Sequence, residues 1–260
     1  MPLFAFAGPV QALRWKNART PGYTITRRGR DGLWRETRTS RGDGKSRLGT
    51  LCEGTFCGII DDYENLGGQV ILEGTQVRLE PLTSAHHAAF CEVGLDPELW
   101  QWIPYRAITP DEMLGYIKNA LKDQAAGTAQ PFATVERSTG RVIGSTRYMN
   151  IDVANRRREI GATWVAKPWQ RTAINTEAKY LMLRHAFETL GCIRVELKTD
   201  ALNQKSRNAI LRIGAKEEGT LRQHVITWTG RLRDSVYFSV LDSEWPQVKA
   251  ALEAKLTRSD

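Results

Sequence analysis

The sequence predicts a mixed α/β fold (α+β in its arrangement), with one central, mostly antiparallel sheet flanked by helices. Three observations predict it. Alternating apolar stretches and amphipathic helical stretches succeed one another as β-α-α-β-β-β-α-β-α-β-β, and a last helix closes the chain. Several strands follow each other through short turns, which makes the sheet too antiparallel for a doubly wound fold. The 260 residues are 41% hydrophobic and 25% charged with 8 Trp, enough apolar side chain for the core of one large domain.

Residues 1–66 show no sustained period, because Gly, Pro and Arg interrupt every candidate face, as in TRRGRDGLWRETRTSRGDGKSRLG at 26–49. They are expected to form a basic, largely disordered N-terminal extension, with residues 67–260 as the domain. The net charge of +8 belongs to this extension: residues 1–50 carry 11 Lys+Arg against 3 Asp+Glu, and residues 51–260 carry 26 of each. It reads first as a dispensable tail or an over-long reading frame. An organelle transit peptide comes second, since residues 1–30 contain Arg and Thr and no acid, and a basic arm touching RNA comes third.

Order is expected from about Val70. VILEGTQVRLEPL (70–82) alternates as a strand, and Thr83 or Ser84 can cap the helix after it. DPELWQWI (96–103) and TPDEMLGYIKNALKDQAAG (109–127) are predicted helical, the second with Thr109 as N-cap, Pro110 at the first position and Gly127 past the end. PFATVER (131–137) and RVIGSTRYMNI (141–151) read as a hairpin across a Ser-Thr-Gly turn, and REIGATWVA (158–166) as a further strand. A long helix is expected from about Thr172 to Leu190, closed by Gly191. CIRVELKTD (192–200) sets Ile193, Val195 and Leu197 against Arg194, Glu196 and Lys198, so it reads as a strand with one buried face and one solvated charge ladder. NQKSRNAILRIGA (203–215) is a short helix. TLRQHVITWTG and RDSVYFSVLD are two more strands, and SEWPQVKAALEAKL (243–256) is the last helix.

Several function classes are excluded by what the sequence lacks. No GxxxxGK[ST] is present and no GxGxxG follows a strand, so no P-loop or dinucleotide fingerprint is available. There is no HExxH and no GxSxG, and His86, His87, His185 and His224 are not spaced as metal ligands, so no metal is expected. Cys52 and Cys57 have four residues between them rather than the two of a zinc knuckle. With Cys91 and Cys192 they read as reduced thiols of a cytoplasmic protein. The charge-free stretch Met1–Leu13 is too short to span a bilayer, and no membrane role is expected.

The most informative junction is a strand ending at Lys167-Pro168-Trp169, a tight polar turn, and a long helix carrying QRTAINTEA at 170–178. Main-chain N–H groups of such a turn have no intrahelical partner and point out with the positive end of the helix dipole, which suits a diphosphate. Small residues are needed where backbone meets phosphate, and Thr172 and Ala173 are small. This segment resembles the acetyl-CoA pyrophosphate loop of the GNAT superfamily of N-acetyltransferases, written Gln/Arg-x-x-Gly/Ala-x-Gly/Ala and often followed by Thr-Glu-Ala. Gln170, Ala173 and Asn175 fall on the patterned positions, and Thr176, Glu177 and Ala178 follow. Asn203, Ser206 and Gly214-Ala215 are similar to the family's Asn-x-x-Ser…Leu-Gly-Phe helix, and EIGATWV to the strand beside pantetheine. The closing hairpin resembles that of the RimJ/RimL-type subgroup, and the resemblance covers roughly residues 70–256. There are departures: Asn175 replaces the usual Gly or Ala, Arg171 stands where Gly is frequent, and Ile210 stands where many members place a Tyr that protonates the departing thiolate.

The resemblance implies the acyl-CoA N-acyltransferase fold and direct transfer of the acetyl group of acetyl-CoA, as co-substrate, to a primary amine in a ternary complex. It implies coenzyme contacts at Trp164, Val165, Gln170, Arg171, Thr172, Ala173, Ile174, Asn175, Asn203 and Ser206. A thioester is already activated, so proximity can supply ~7–11 kcal/mol of the barrier without a covalent enzyme intermediate. The amine must lose a proton, and the thiolate must gain one. Ser206 is the candidate donor, as in the RimL-like members. Glu159 is the candidate base, on a face expected to include Gly161, Thr163 and Val165. The alternative for Glu159 is a rim carboxylate paired with Arg156, Arg157 or Arg158; Asp152 is the next base candidate and Glu196 the last. An amide of the strand with Trp164 and Val165 is the candidate donor to the thioester oxygen. Asn203 has a second role as helix cap, Lys205 and Arg207 could approach the 3′-phosphate or stay solvated, and Trp100, Trp102 and Tyr105 are read mainly as packing. The acceptor is expected to be a protein N-terminal amine or a small-molecule amine; nucleic acid is not expected, and a homodimer is left open. The competing class is a non-catalytic acyl-CoA-binding or interaction module with the same fold.

Overall fold

Eight strands form one sheet in the order β3-β4-β5-β6-β7-β8-β10-β9 of the computed structural model, which describes residues 70–257 together with the backbone of 23–28 and 34–38. The chain divides into two units, residues 1–54 and 55–260. In the first, β1 (Tyr23–Arg28) pairs antiparallel with β2 (Trp34–Arg38). This local pairing lies inside the segment expected to lack regular structure, where the short alternation of YTIT has no helical competitor. The rest of residues 1–66, Cys52 and Cys57 included, lies outside the described residues.

In the second unit the predicted first strand is two strands, β3 (Leu72–Glu73) and β4 (Val77–Pro81), folded back on each other around Gly74. The cause is a long-range one. The Glu177 carboxylate accepts hydrogen bonds from the Thr75, Gln76 and Val77 N–H groups and the Thr75 hydroxyl at 2.7–2.9 Å, pinning the turn from 100 residues away. A Cβ at Gly74 would lie 2.5 Å from Glu177 Cδ, so the turn accepts only glycine without a shift.

A 3-10 turn at Ser84–His86 leads into α1 (His87–Gly94). The helix expected at 96–103 is a single 3-10 turn, Pro97–Trp100: Trp100 is buried with its indole N–H on the Gly94 carbonyl at 2.8 Å, and this tie and Pro104 stop the turn from propagating. α2 (Pro110–Ala125) starts as read, with the Thr109 hydroxyl accepting from the Glu112 N–H, and Gly127 beyond it has φ +71°. β5 (Gln130–Glu136), β6 (Val142–Asp152) and β7 (Arg157–Val165) form an antiparallel meander. α3 (Ile174–Arg184) ends in a π-helical turn, His185–Thr189, before Gly191 at φ +59°. Then come β8 (Arg194–Asp200), α4 (Gln204–Arg212), β9 (Lys216–Ile226), β10 (Leu232–Leu241) and α5 (Trp245–Thr257).

Each face of the sheet carries its own core. On one, Ile160, Val195, Leu197, Val236 and Phe238 pack against Leu181 and Met182 of α3 and Val248 and Leu252 of α5. On the other, Ala133 and Trp164 pack against Phe90 of α1 and Met113, Ile117 and Ala120 of α2. Where α1 and α2 end, this second face is charged rather than apolar, and that is where the candidate site lies.

Candidate active site

β7 and β8 are the only neighbouring strands of the described sheet that run parallel, and they pair only from Arg157 to Glu159 against Arg194 to Glu196. Beyond that they part: β7 continues to Val165 and β8 to Asp200 with no pair between them. A bulge starts the divergence. On β6, Ser145 and Arg147 pair with Trp164 and Gly161, so three steps on β7 oppose two on β6, and Ala162 takes φ +49°. One extra residue reverses the alternation downstream of it. Thr163 therefore turns to α3, where the Lys179 ammonium nitrogen donates to its hydroxyl at 2.6 Å, and Trp164 turns to α1 and α2. This corrects the sequence-based face: Thr163 does not share a side with Glu159. The edge of β7 carrying Trp164 and Val165 borders the gap.

Both α3 and α4 start near the parted ends of these strands. After β7 a 3-10 turn at Lys167–Trp169 leads to Gln170, whose amide donates to the Val165 carbonyl at 2.9 Å. The Thr172 hydroxyl donates to the Trp169 carbonyl at 2.8 Å and lies 3.4 Å from the Ile174 nitrogen. The backbone ladder of α3 begins with the Glu177 N–H on the Ala173 carbonyl; ahead of it, the Asn175 and Thr176 N–H groups receive no acceptor from the described residues. Arg171 sits exposed at φ +65°, a region glycine enters freely, which accounts for glycine being frequent there in the family that the segment resembles. Residues 170–175 thus make a tight turn with bare amides at a helix N-terminus, beside the gap, and these features fit a diphosphate followed by an extended amide chain.

Glu159 is 2% exposed and pairs with none of the three preceding arginines. Arg156 donates to the Gly191 carbonyl, Arg157 bridges Asp152 and Glu196, and Arg158 stacks over the Tyr148 ring. Glu159 is held instead by Asn150 Nδ2 at 2.8 Å and Lys198 Nζ at 3.0 Å, both on Oε2. Oε1 receives neither bond and lies 3.0 Å from where a Cβ of Gly161 would be. Asp152 and Glu196 are each engaged by Arg157, and Arg194 adds a bond to Glu196 at 2.8 Å. The charge ladder of β8 is consequently not solvated as expected: Glu196 is 9% exposed and faces Arg157 across the strand pair. Asn150, Asp152, Arg157, Glu159, Glu196 and Tyr237 line a cavity of about 630 Å³.

The Asn203 side chain accepts from the Ser206 N–H at 3.0 Å, so it caps α4. Ser206 is half-buried on the first turn of that helix, which follows the parted end of β8. Ile210 is buried in the core. Arg207 is tied to Glu217 and to the Ala201 carbonyl, and Lys205 is exposed. Trp102 lies under the Arg231 guanidinium, and Trp228 at the β9–β10 turn donates to the Trp100 carbonyl, so this turn and the 100–106 loop border the charged face together. Among the described residues no cluster could hold a metal, Cys91 and Cys192 are free, and no helix is long and apolar enough to cross a membrane.

Sequence reasoning missed Asn150, Lys198 and Lys179. Lys179 is buried with no carboxylate beside it, and burial pushes its pKa down to about 7. From pH 7 up to its ordinary value of 10.5 the unfolded chain holds a proton that the folded chain lacks. The folded state therefore gains about 1.4 kcal/mol per pH unit from this group as pH rises through that window, and carries the full cost below it. Lys179→Met is expected to raise the urea midpoint at pH 7 and to flatten its rise between pH 7 and 9.5, because Thr146 and Thr163 keep their own 2.8 Å hydrogen bond. An unchanged slope would show that Lys179 stays charged in the fold.

Comparison with known proteins agrees with this geometry. The sequence profile of the acetyltransferase (GNAT) domain matches residues 76–216. The chain is 38% identical over 106 residues to YdaF of Bacillus subtilis, named as a ribosomal N-acetyltransferase, covering 41% of this chain and 57% of that protein. It spans little more than half the length of that relative. A crystal structure from T. thermophilus, named as an acetyltransferase, is 37% identical with a TM-score of 0.66, covering 72% of this chain and 96% of the other. The fold is shared as well with Mycobacterium smegmatis RimJ, solved in complex with CoA-disulfide, at 24% identity and a TM-score of 0.61 over 72% of this chain and 92% of that one.

Proposed function

This chain belongs to the acetyltransferase (GNAT) domain family, and on that premise we propose that it transfers the acetyl group of acetyl-CoA directly to a primary amine. The single observation that carries the reading is the parting of β7 from β8 next to bare amides at the start of α3. Acetyl-CoA supplies an activated acyl group, and the chain's own residues do the rest. Amides at Asn175 and Thr176 hold the diphosphate, Arg171 adds charge beside it, and the free edge of β7 aligns the pantetheine arm. Glu159 takes the proton of the incoming amine through Oε1, with Oε2 fixed by Asn150 and Lys198. Ser206 returns a proton to the thiolate, and Asn203 fixes the helix turn that presents it.

The acceptor we favour is a protein N-terminal amine, in the manner of the RimJ/RimL-like branch. YdaF, named as a ribosomal N-acetyltransferase, supports that choice over a free small amine, and we place the protein in the cytoplasm accordingly. The test is thiol release from acetyl-CoA over short peptides with free N-termini and a set of small amines. Turnover with peptides supports the reading, and turnover with small amines alone moves the acceptor class. Coenzyme binding with no turnover on any amine would favour a non-catalytic module, the reading to which a buried Ile210 in place of a hydroxyl-bearing residue points.

A further inference from the structure

Lys198 stands two residues past Glu196, the last residue that β8 pairs with β7, and on the same face. It therefore forms part of the wall of the gap, level with Gly161 and Ala162 on the opposite strand. Its amine is 3.0 Å from Glu159 Oε2, its side chain is 21% exposed, and it lies 5.6 Å from the centre of the Tyr237 ring. The chain thus presents a primary amine of its own against the carboxylate assigned to deprotonate the acceptor. The buried Lys179 does not compete: it faces the α3 side and touches Thr146 and Thr163. Lys167 is occupied by Asp96 and Glu98.

Resting on the acetyltransferase reading above, we propose that Lys198 is a self-acetylation site, modified by bound acetyl-CoA when no external amine competes. Glu159 takes one proton from the Lys198 ammonium, and the freed lone pair attacks the thioester carbonyl carbon. The new N–C bond forms as the C–S bond breaks. The sulfur leaves with the bonding pair and takes up the second nitrogen proton by way of Ser206, and Glu159 releases the first to water. The products are Nε-acetyl-lysine at position 198, free coenzyme A and one proton. The modification removes the charge that holds Glu159 Oε2 and the cation over Tyr237, so it acts on the same site that made it.

The test incubates the full-length chain with isotope-labelled acetyl-CoA and no amine, then reads the acetyl mass on each lysine after proteolysis. The amine panel is run in parallel. Label on Lys198 is expected to build at least tenfold faster than on Lys118 and Lys122, exposed lysines of α2 that report uncatalysed transfer. It should fall on the order of 10²-fold in Glu159→Gln. Labelling of Lys198 no faster than of Lys118, or undiminished in Glu159→Gln, overturns the proposal. Amine turnover with Lys198 unlabelled overturns self-acetylation and leaves the acetyltransferase reading standing; if neither amines nor Lys198 are acetylated, both fall.

Discussion

Glu159→Gln is expected to lower kcat/KM for the accepted amine by 10²–10⁴, the range a positioned general base contributes, while leaving coenzyme affinity within about twofold. Gln has the size of Glu and keeps an oxygen for Asn150, but it cannot take a proton near neutral pH. The side chain is buried beside the last paired residues of β7 and β8, with one oxygen fixed by two donors and the other held by neither of them. Loss of that proton acceptor acts on the transition state rather than on binding. The effect should therefore appear in kcat, and raising the pH should recover part of it as more amine arrives already neutral. Equal loss from Asp152→Asn would move the base to Asp152. Hydrogen bonds from Asn155, and then Arg157, hold that carboxyl below its usual range, which leaves it a weaker base.

Glu177→Ala is expected to cost about 3–5 kcal/mol of unfolding free energy, the range for removing one side of a buried charged network. Glu177 is 4% exposed and receives three backbone N–H groups and one hydroxyl, all from the Thr75–Val77 turn. Alanine removes the acceptor of the buried Val77 amide and of the half-buried turn before it, and frees the β3–β4 hairpin from α3. Glu177→Gln should cost roughly half as much, since one oxygen can still accept while the new amide faces donors. The urea midpoint measures both. A loss below about 1 kcal/mol in the alanine variant would mean that water replaces the carboxylate at the turn. Thr-Glu-Ala follows the diphosphate-type turn in sequence, yet its Glu faces away from the gap and holds the edge of the sheet to α3.

The element order and the boundaries of α2 were legible because they rest on local causes: the Thr109 cap ahead of Pro110, and Gly127 past the helix end. Three features were not. The split of residues 70–82 into a hairpin depends on Glu177, 100 residues distant. The reversal of face at Thr163 depends on a one-residue bulge whose residue, Ala162, is no glycine and carries no turn signal. The environment of Glu159 depends on Lys198, 39 residues away on a strand whose alternating charges read as a solvated ladder. The turn at 170–175 was legible since its requirement, small residues at a helix start after a strand, is written in consecutive positions. The candidate base was legible only as one of three carboxylates, because the surroundings of Glu159 are set by hydrogen-bond partners 9 and 39 residues away.

The proposed transfer requires that bare amides at the start of α3 and the parted edge of β7 hold a coenzyme by its diphosphate and its pantetheine arm. Titration calorimetry of the full-length chain with coenzyme A tests it most directly. One site per chain is expected, with a Kd on the order of 1 μM, about −8 kcal/mol, and at least 100-fold weaker binding of pantetheine, which lacks the diphosphate. Absence of heat with coenzyme A, or equal affinity for pantetheine, would contradict it.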